Sequence, residues 1–109
     1  MHEMSITQSI VEICTERAAG AKVQRVTLEI GVLSAVLPDA IRFCFDLCTR
    51  DTALEGAGLE IVAIAGRGCC RTCGRPVDMQ DFLAICECGS IDIQCVAGEA
   101  LRIREMEVM

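Results

Sequence analysis

The residues with most chemistry to offer lie in 69–88. They read Cys69-Cys70-Arg71-Thr72-Cys73-Gly74 and, about a dozen residues on, Cys86-Glu87-Cys88-Gly89. Two cysteine pairs, each followed by glycine, have the spacing of a four-thiolate metal knuckle. Each pair sits on a tight turn, and Gly74 and Gly89 supply backbone freedom where the chain folds around the ion. Cys70, Cys73, Cys86 and Cys88 are the expected ligands, with Cys69 as the substitute, because the second pair is Cys-x-Cys, one residue shorter than the usual Cys-x-x-Cys. Zinc is the expected ion, a borderline-soft d10 cation that accepts four sulfurs and brings no redox chemistry. Four thiolates close the coordination sphere, so the site is structural and leaves no position for activating water. A thioredoxin-like redox pair fits poorly, since Cys73 leads into Gly74-Arg75-Pro76 and not into a helix that would lower a thiol pKa.

The second candidate is at the other end. The chain's one histidine is His2, in Met1-His2-Glu3. A lone polar residue at a terminus is ordinarily a bystander. Here, however, the Met1 amine, the His2 amide and the His2 imidazole can close fused chelate rings on one ion, with Glu3 as a fourth in-plane donor. Nitrogen-rich square-planar donation suits Ni(II) or Cu(II) and not zinc. The bulky second residue disfavours removal of Met1, which keeps the amine in place.

The elements that must position these groups are read from periodicity. A capping box at Ser5-Ile6-Thr7-Gln8 predicts a first helix, ending at Gly20, with Ile6, Ile10 and Ile13 as its core stripe and Cys14 beside it. Residues 23–31 alternate as a half-buried strand. Pro38-Asp39 opens a second helix to about residue 50, with Ile41, Cys44, Phe45 and Cys48 on one apolar face broadened by Ala40, Phe43 and Leu47. Cys44 and Cys48 stand four apart, a chelating spacing, but their apolar neighbours favour core packing. Residues 59–64 are apolar on both faces and read as a buried strand. Ala65-Gly66-Arg67-Gly68 reads as a hinge through which protomers could exchange elements. Leu101 and Ile103 begin a last strand whose apolar phase slips toward Met106 and Val108, predicting a bulge near Glu105. The expected fold is therefore α+β: two helices on a three-stranded sheet, residues 1–65 plus 100–109, with a four-cysteine zinc-ribbon-like domain at 66–99 inserted before the last strand.

Composition narrows the function. Among 109 residues, apolar side chains make up 52% but aromatics only 3%, so the core must be aliphatic. No apolar run approaches the ~20 residues that span a bilayer, and no signal peptide is evident. Nine cysteines then belong in a reducing cytoplasm, as ligands or core thiols. A net charge of −6 argues against nucleic acid as a partner. A closed thiolate site, a terminal histidine and the absence of a glycine-rich phosphate loop argue against an enzyme.

Several stretches together resemble one family. They are Met1-His2-Glu3-Met4-Ser5, the run from Ile30-Gly31-Val32-Leu33-Ser34 to Pro38, Phe43-Cys44-Phe45-Asp46-Leu47, Leu54-Glu55-Gly56-Ala57-Gly58-Leu59, the cysteine lobe, and the closing Leu101-Arg102-Ile103-Arg104-Glu105-Met106. The sequence is similar in these to the HypA/HybF nickel metallochaperones, which mature NiFe-hydrogenases. The resemblance covers nearly the whole chain. It implies nickel held by Met1, His2 and Glu3 and zinc held by the two cysteine pairs. It also implies, as partners, the HypB GTPase, the precursor of the hydrogenase large subunit and, in some members, urease accessory proteins, with the chain a monomer or weak homodimer. One departure stands out: the family's second pair is usually Cys-Pro-x-Cys, and here Ile85 falls where a ligand is expected. The rival expectation is a zinc-ribbon adaptor with no nickel role.

Overall fold

The computed structural model describes residues 3–109; the expected nickel ligands Met1 and His2 lie outside them. In chain order the elements are α1 (Glu3–Ala18), β1 (Val23–Gly31), α2 (Pro38–Cys48), β2 (Gly58–Ile64), β3 (Gly66–Cys70), β4 (Pro76–Met79), β5 (Ile93–Ala97) and β6 (Leu101–Val108). Two separate three-stranded sheets form, ordered β2-β1-β6 and β4-β3-β5. The first is mixed: the α2 crossover lets β1 and β2 run parallel, while β6 returns antiparallel on the other side of β1. The second sheet is antiparallel throughout and lies entirely between β2 and β6 in sequence. The molecule is elongated, 53 × 22 × 17 Å, and its radius of gyration of 17.0 Å exceeds the roughly 13 Å of a compact chain this long.

The core belongs to the first sheet. Ile10, Val11, Cys14 and Ala18 from α1 pack with Val23, Val26, Leu28 and Ile30 from β1, Ile41 and Phe45 from α2, and Leu54 from the loop before β2. One phenylalanine among aliphatics is what the composition demands. Cys14 sits there as a small hydrophobe, and burial pushes its thiol pKa up.

Several sequence expectations need correction. α1 does not start at a Ser5 cap. It reaches back at least to Glu3, an acidic residue favoured in a first turn by the helix dipole. Ser5 is inside the helix, and the Thr7, Ser9 and Thr15 hydroxyls donate to the carbonyls of Glu3, Ser5 and Val11, four residues back. That bond lets Thr7 be fully buried, so the stripe facing the core runs Thr7, Ile10, Val11, Cys14, Ala18, and Ile13 is left 43% exposed. The turn at Ala19 and Gly20, with φ of 50° and 92°, ends the helix as expected. On α2 the inward face is narrower than predicted: Ile41, Cys44 and Phe45 are buried, whereas Phe43 is 67% exposed. The helix ends at Cys48, where the Thr49 hydroxyl and amide both donate to the Phe45 carbonyl. β2 is an edge strand, half exposed, and not a buried one. The slip near Glu105 is a real irregularity: Thr27 pairs with Glu105 but Leu28 with Ile103, which leaves Arg104 looped out of the ladder.

The expected hinge is no hinge. Gly66 and Gly68 are buried in β3, and Gly31, Gly66 and Gly98 converge where the two sheets meet. Leu33 N–H donates to the Gly98 carbonyl at 2.8 Å, Gly31 N–H to Ala100 at 2.9 Å and Val32 N–H to Ile64 at 3.0 Å. Backbones approach so closely that a Cβ on Gly31 would overlap the Gly98 carbonyl, and one on Gly98 would sit 2.6 Å from the Gly66 Cα. Flexibility was the wrong inference from these glycines; close backbone approach is their role.

Candidate metal centre

Two turns at one end of the second sheet bring four thiols together. After β3, the Gly74 amide donates to the Cys70 carbonyl at 2.9 Å and closes the first turn, with Gly74 at a φ of 80°. Before β5, the Gly89 amide donates to the Cys86 carbonyl at 2.8 Å and the Cys86 amide to Ser90 at 2.9 Å, with Gly89 at 91°. The shortened second pair is thus a regular tight turn that places both of its sulfurs on the same side. The turns are braced against each other by the Thr72 and Ser90 hydroxyls, 2.9 Å apart, and by ion pairs of Arg71 with Asp92 and Arg75 with Glu87.

The Sγ atoms of Cys70, Cys73, Cys86 and Cys88 all lie within 4.8 Å of one another. Cys70 and Cys88 are 3.7 Å apart, and Cys73 and Cys86 3.5 Å. Sulfurs at the corners of a tetrahedron with bonds of about 2.3 Å stand about 3.8 Å apart, so the donor set fits a single tetrahedral ion. Cys70 and Cys86 are buried while Cys73 and Cys88 are exposed, so one side of the group faces solvent. Cys69 is not in the group: it alternates to the other face of β3, with its sulfur 3.7 Å from the Gly74 carbonyl. Ile85 is 65% exposed and outside it as well.

The surroundings push two of the four thiols in opposite directions. The Cys73 amide, helped by that of Thr72 and by the Cys88 and Cys73 thiols, outweighs desolvation and brings the Cys70 thiol down to about 6. Cys73 moves the other way. The Arg75 amide pulls it down, but desolvation and the thiols of Cys86, Cys70 and Cys88 hold it up at about 12. Cys70 thus gives up its proton readily while Cys73 retains its own. A bound dication would supply the charge that releases it.

On α1, Glu3 is the first described residue, and its carboxylate accepts from the Leu37 amide at 3.4 Å. This ties the start of α1 to the loop that leads into α2. Glu3 is thus on a helix that packs on the first sheet, and the four cysteines are on the inserted lobe.

A helix-covered mixed sheet with a four-cysteine lobe inserted ahead of its last strand defines a small, two-part metal-binding protein. The family model described as HypA, hydrogenase/urease nickel incorporation, metallochaperone, matches residues 1–108. The hydrogenase maturation factor HypA of Nostoc punctiforme is 58% identical over 108 residues, covering 99% of this chain and 96% of that protein. That of Geobacter metallireducens is 55% identical, covering 99% of each. Among solved structures, the solution structure of the Ni metallochaperone HypA from Helicobacter pylori superposes with a TM-score of 0.71 at 25% identity, covering 100% of this chain and 98% of that one. This chain belongs to the HypA family of nickel metallochaperones.

Proposed function

We propose that this chain carries Ni(II) on Met1, His2 and Glu3 and delivers it for hydrogenase maturation, with a structural zinc held by Cys70, Cys73, Cys86 and Cys88. The match of the HypA family along residues 1–108 carries the reading, because it takes in both the amino terminus and the cysteine lobe. In this reading the chain divides into a nickel-binding part, residues 1–65 with 100–109, and a zinc part, residues 66–99. It works in the cytoplasm, receives or gives up nickel beside a GTPase of the HypB type, and meets the large-subunit precursor of a NiFe-hydrogenase. A carrier must let go of its cargo, and a site made of one amine, one imidazole and a carboxylate or amide is open to ligand exchange by an incoming protein. The closed tetrathiolate is not, which suits it to a structural role. One observation also suits the lobe to contact with a partner: Phe82, Leu83, Ile85 and Ile91 all point outward from it.

Protons compete with nickel at such a terminus. The imidazole, ordinarily titrating near ~6.5, binds metal only when neutral, and the amine and any metallated amide must also lose protons. Affinity is therefore full above these values and lost as pH falls through them. A Ni(II) titration followed by calorimetry should show steep weakening from mildly basic to mildly acidic conditions, with zinc retained. Equal affinity at both ends would rule out the amine–imidazole site.

A further inference from the structure

We propose that Met4, Cys44 and Cys48 form a second metal site, selective for a soft monovalent d10 cation such as Cu(I), between the first turn of α1 and the end of α2. The spacing of Cys44 and Cys48 alone says only that both project from one face of a helix. The structure adds a third sulfur from a different element: the Met4 Sδ lies 3.3 Å from the Cys48 Sγ. Cys48 is half-buried and Cys44 is buried one turn earlier, whereas Met4 is partly exposed. Met4 and Cys48 open on a cleft of about 480 Å³, lined also by Gln8, Val11, Glu12, Leu47 and Thr52, from which an ion can reach their sulfurs; the buried Cys44 does not line it. Cys14 makes a useful contrast, being a fully enclosed core thiol.

The donor set selects the ion. Two thiolates and a thioether are the ligands of Cu(I), which is stable with two or three sulfurs. Zn(II) wants a fourth nitrogen, oxygen or sulfur donor, which the cleft offers only as oxygen from Glu12, Gln8 or Thr52, whereas a soft cation is satisfied by the three sulfurs alone. Binding breaks two S–H bonds, forms two Cu–S bonds and one dative thioether bond, and releases two protons to solvent. Copper enters and stays as Cu(I), so no electron moves. The site is independent of the nickel reading, since its three sulfurs are neither Met1, His2 nor Glu3. It would nevertheless clamp the helix turn that follows the nickel ligands.

The test uses the full, zinc-loaded chain without oxygen, with Cu(I) supplied from a chromophoric chelator and zinc release followed by an indicator dye. The wild type should take a first equivalent of Cu(I) before any zinc is freed. Cys48→Ser and Cys44→Ala should each lose that first equivalent while keeping zinc and helical circular dichroism, and Met4→Leu should weaken it without changing the stoichiometry. X-ray absorption at the copper edge of the wild type at one equivalent should show sulfur ligands only, three in number. The proposal is overturned if each Cu(I) bound frees a zinc from the start, or if the folded variants take up the first equivalent as the wild type does. Should a cysteine variant not fold, the Met4→Leu titration and the wild-type absorption spectrum decide: an unchanged affinity, or four sulfurs, refutes the site.

Discussion

Stripping the tetrathiolate ion with a strong chelator, or replacing Cys70 with serine, is expected to unravel β3, β4 and β5 while the helical circular dichroism signal survives. The reason is where the core lies. Every member of the buried apolar cluster comes from α1, β1, α2 or the loop before β2, and none from residues 66–97. In the cysteine lobe the buried side chains are Cys70, Cys86 and Met79, and the first two are proposed ligands. Phe82, Leu83, Ile85, Ile91 and Val96 are all more than 60% exposed, so there is little apolar burial to take over when the ion leaves. Strands of four and five residues do not hold a sheet together alone. A structural zinc contributes on the order of 10 kcal/mol to a module of this kind, more than the whole stability of many domains. Residue-resolved amide exchange should therefore show protection lost from Gly66–Cys70 and Ile93–Ala97 but kept in Leu28 and Ile41. Loss of the helical signal at the same chelator concentration would show instead that the two sheets unfold as one.

The second large effect is expected from a single methyl group. Gly31→Ala puts a Cβ onto the Gly98 carbonyl, where the obstacle is backbone and cannot rotate away. Overpacking against flexible side chains costs about 1–3 kcal/mol; here the Gly31, Leu33 and Val32 amide bonds that join the sheets must also stretch. We expect a loss of about 3 kcal/mol or more by urea denaturation. The matched control is Gly58→Ala at the start of β2, where the nearest atoms, on the Arg25 side chain, are an ordinary 3.8 Å away. That change should lie within about 1 kcal/mol of wild type. Similar costs for the two would mean that the glycine junction is looser than its geometry.

How much of the fold is written locally in the sequence depends on the range of the interaction. Cysteine spacing pointed to the four cysteines that the structure brings together, because two local turns suffice to define the cluster, and the shortened Cys86-Glu87-Cys88 pair proved to be a tight turn ending at Gly89. The strand Val23–Gly31 and the phase slip at Glu105 were legible because strand periodicity is strict, and one looped-out residue flips every side chain beyond it. The half-buried alternation was not, since Thr27, on the face expected outward, is buried. What escaped was long-range. Nothing local distinguishes Gly31, Gly66 and Gly98, far apart in sequence, as one packed junction, and Gly66 and Gly68 looked like a hinge for want of their partners. The inward stripe of α1 was misplaced because a threonine that bonds its own helix carbonyl can be buried as easily as an isoleucine. For the same reason, the approach of Met4 to Cys48 has no sequence signal at all.

Whether nickel is held at the amino terminus is decided by a Ni(II) titration of untagged, zinc-loaded protein beside its His2→Ala variant. Residues added ahead of Met1 would remove the terminal amine from the site, and a histidine tag would bind nickel itself, so neither can be present. The wild type is expected to take up a single Ni(II), and the variant to lose this uptake while keeping its zinc. If wild type and variant bind nickel alike, the terminus is not the site, and the chain would be read as a zinc-stabilised adaptor within its family.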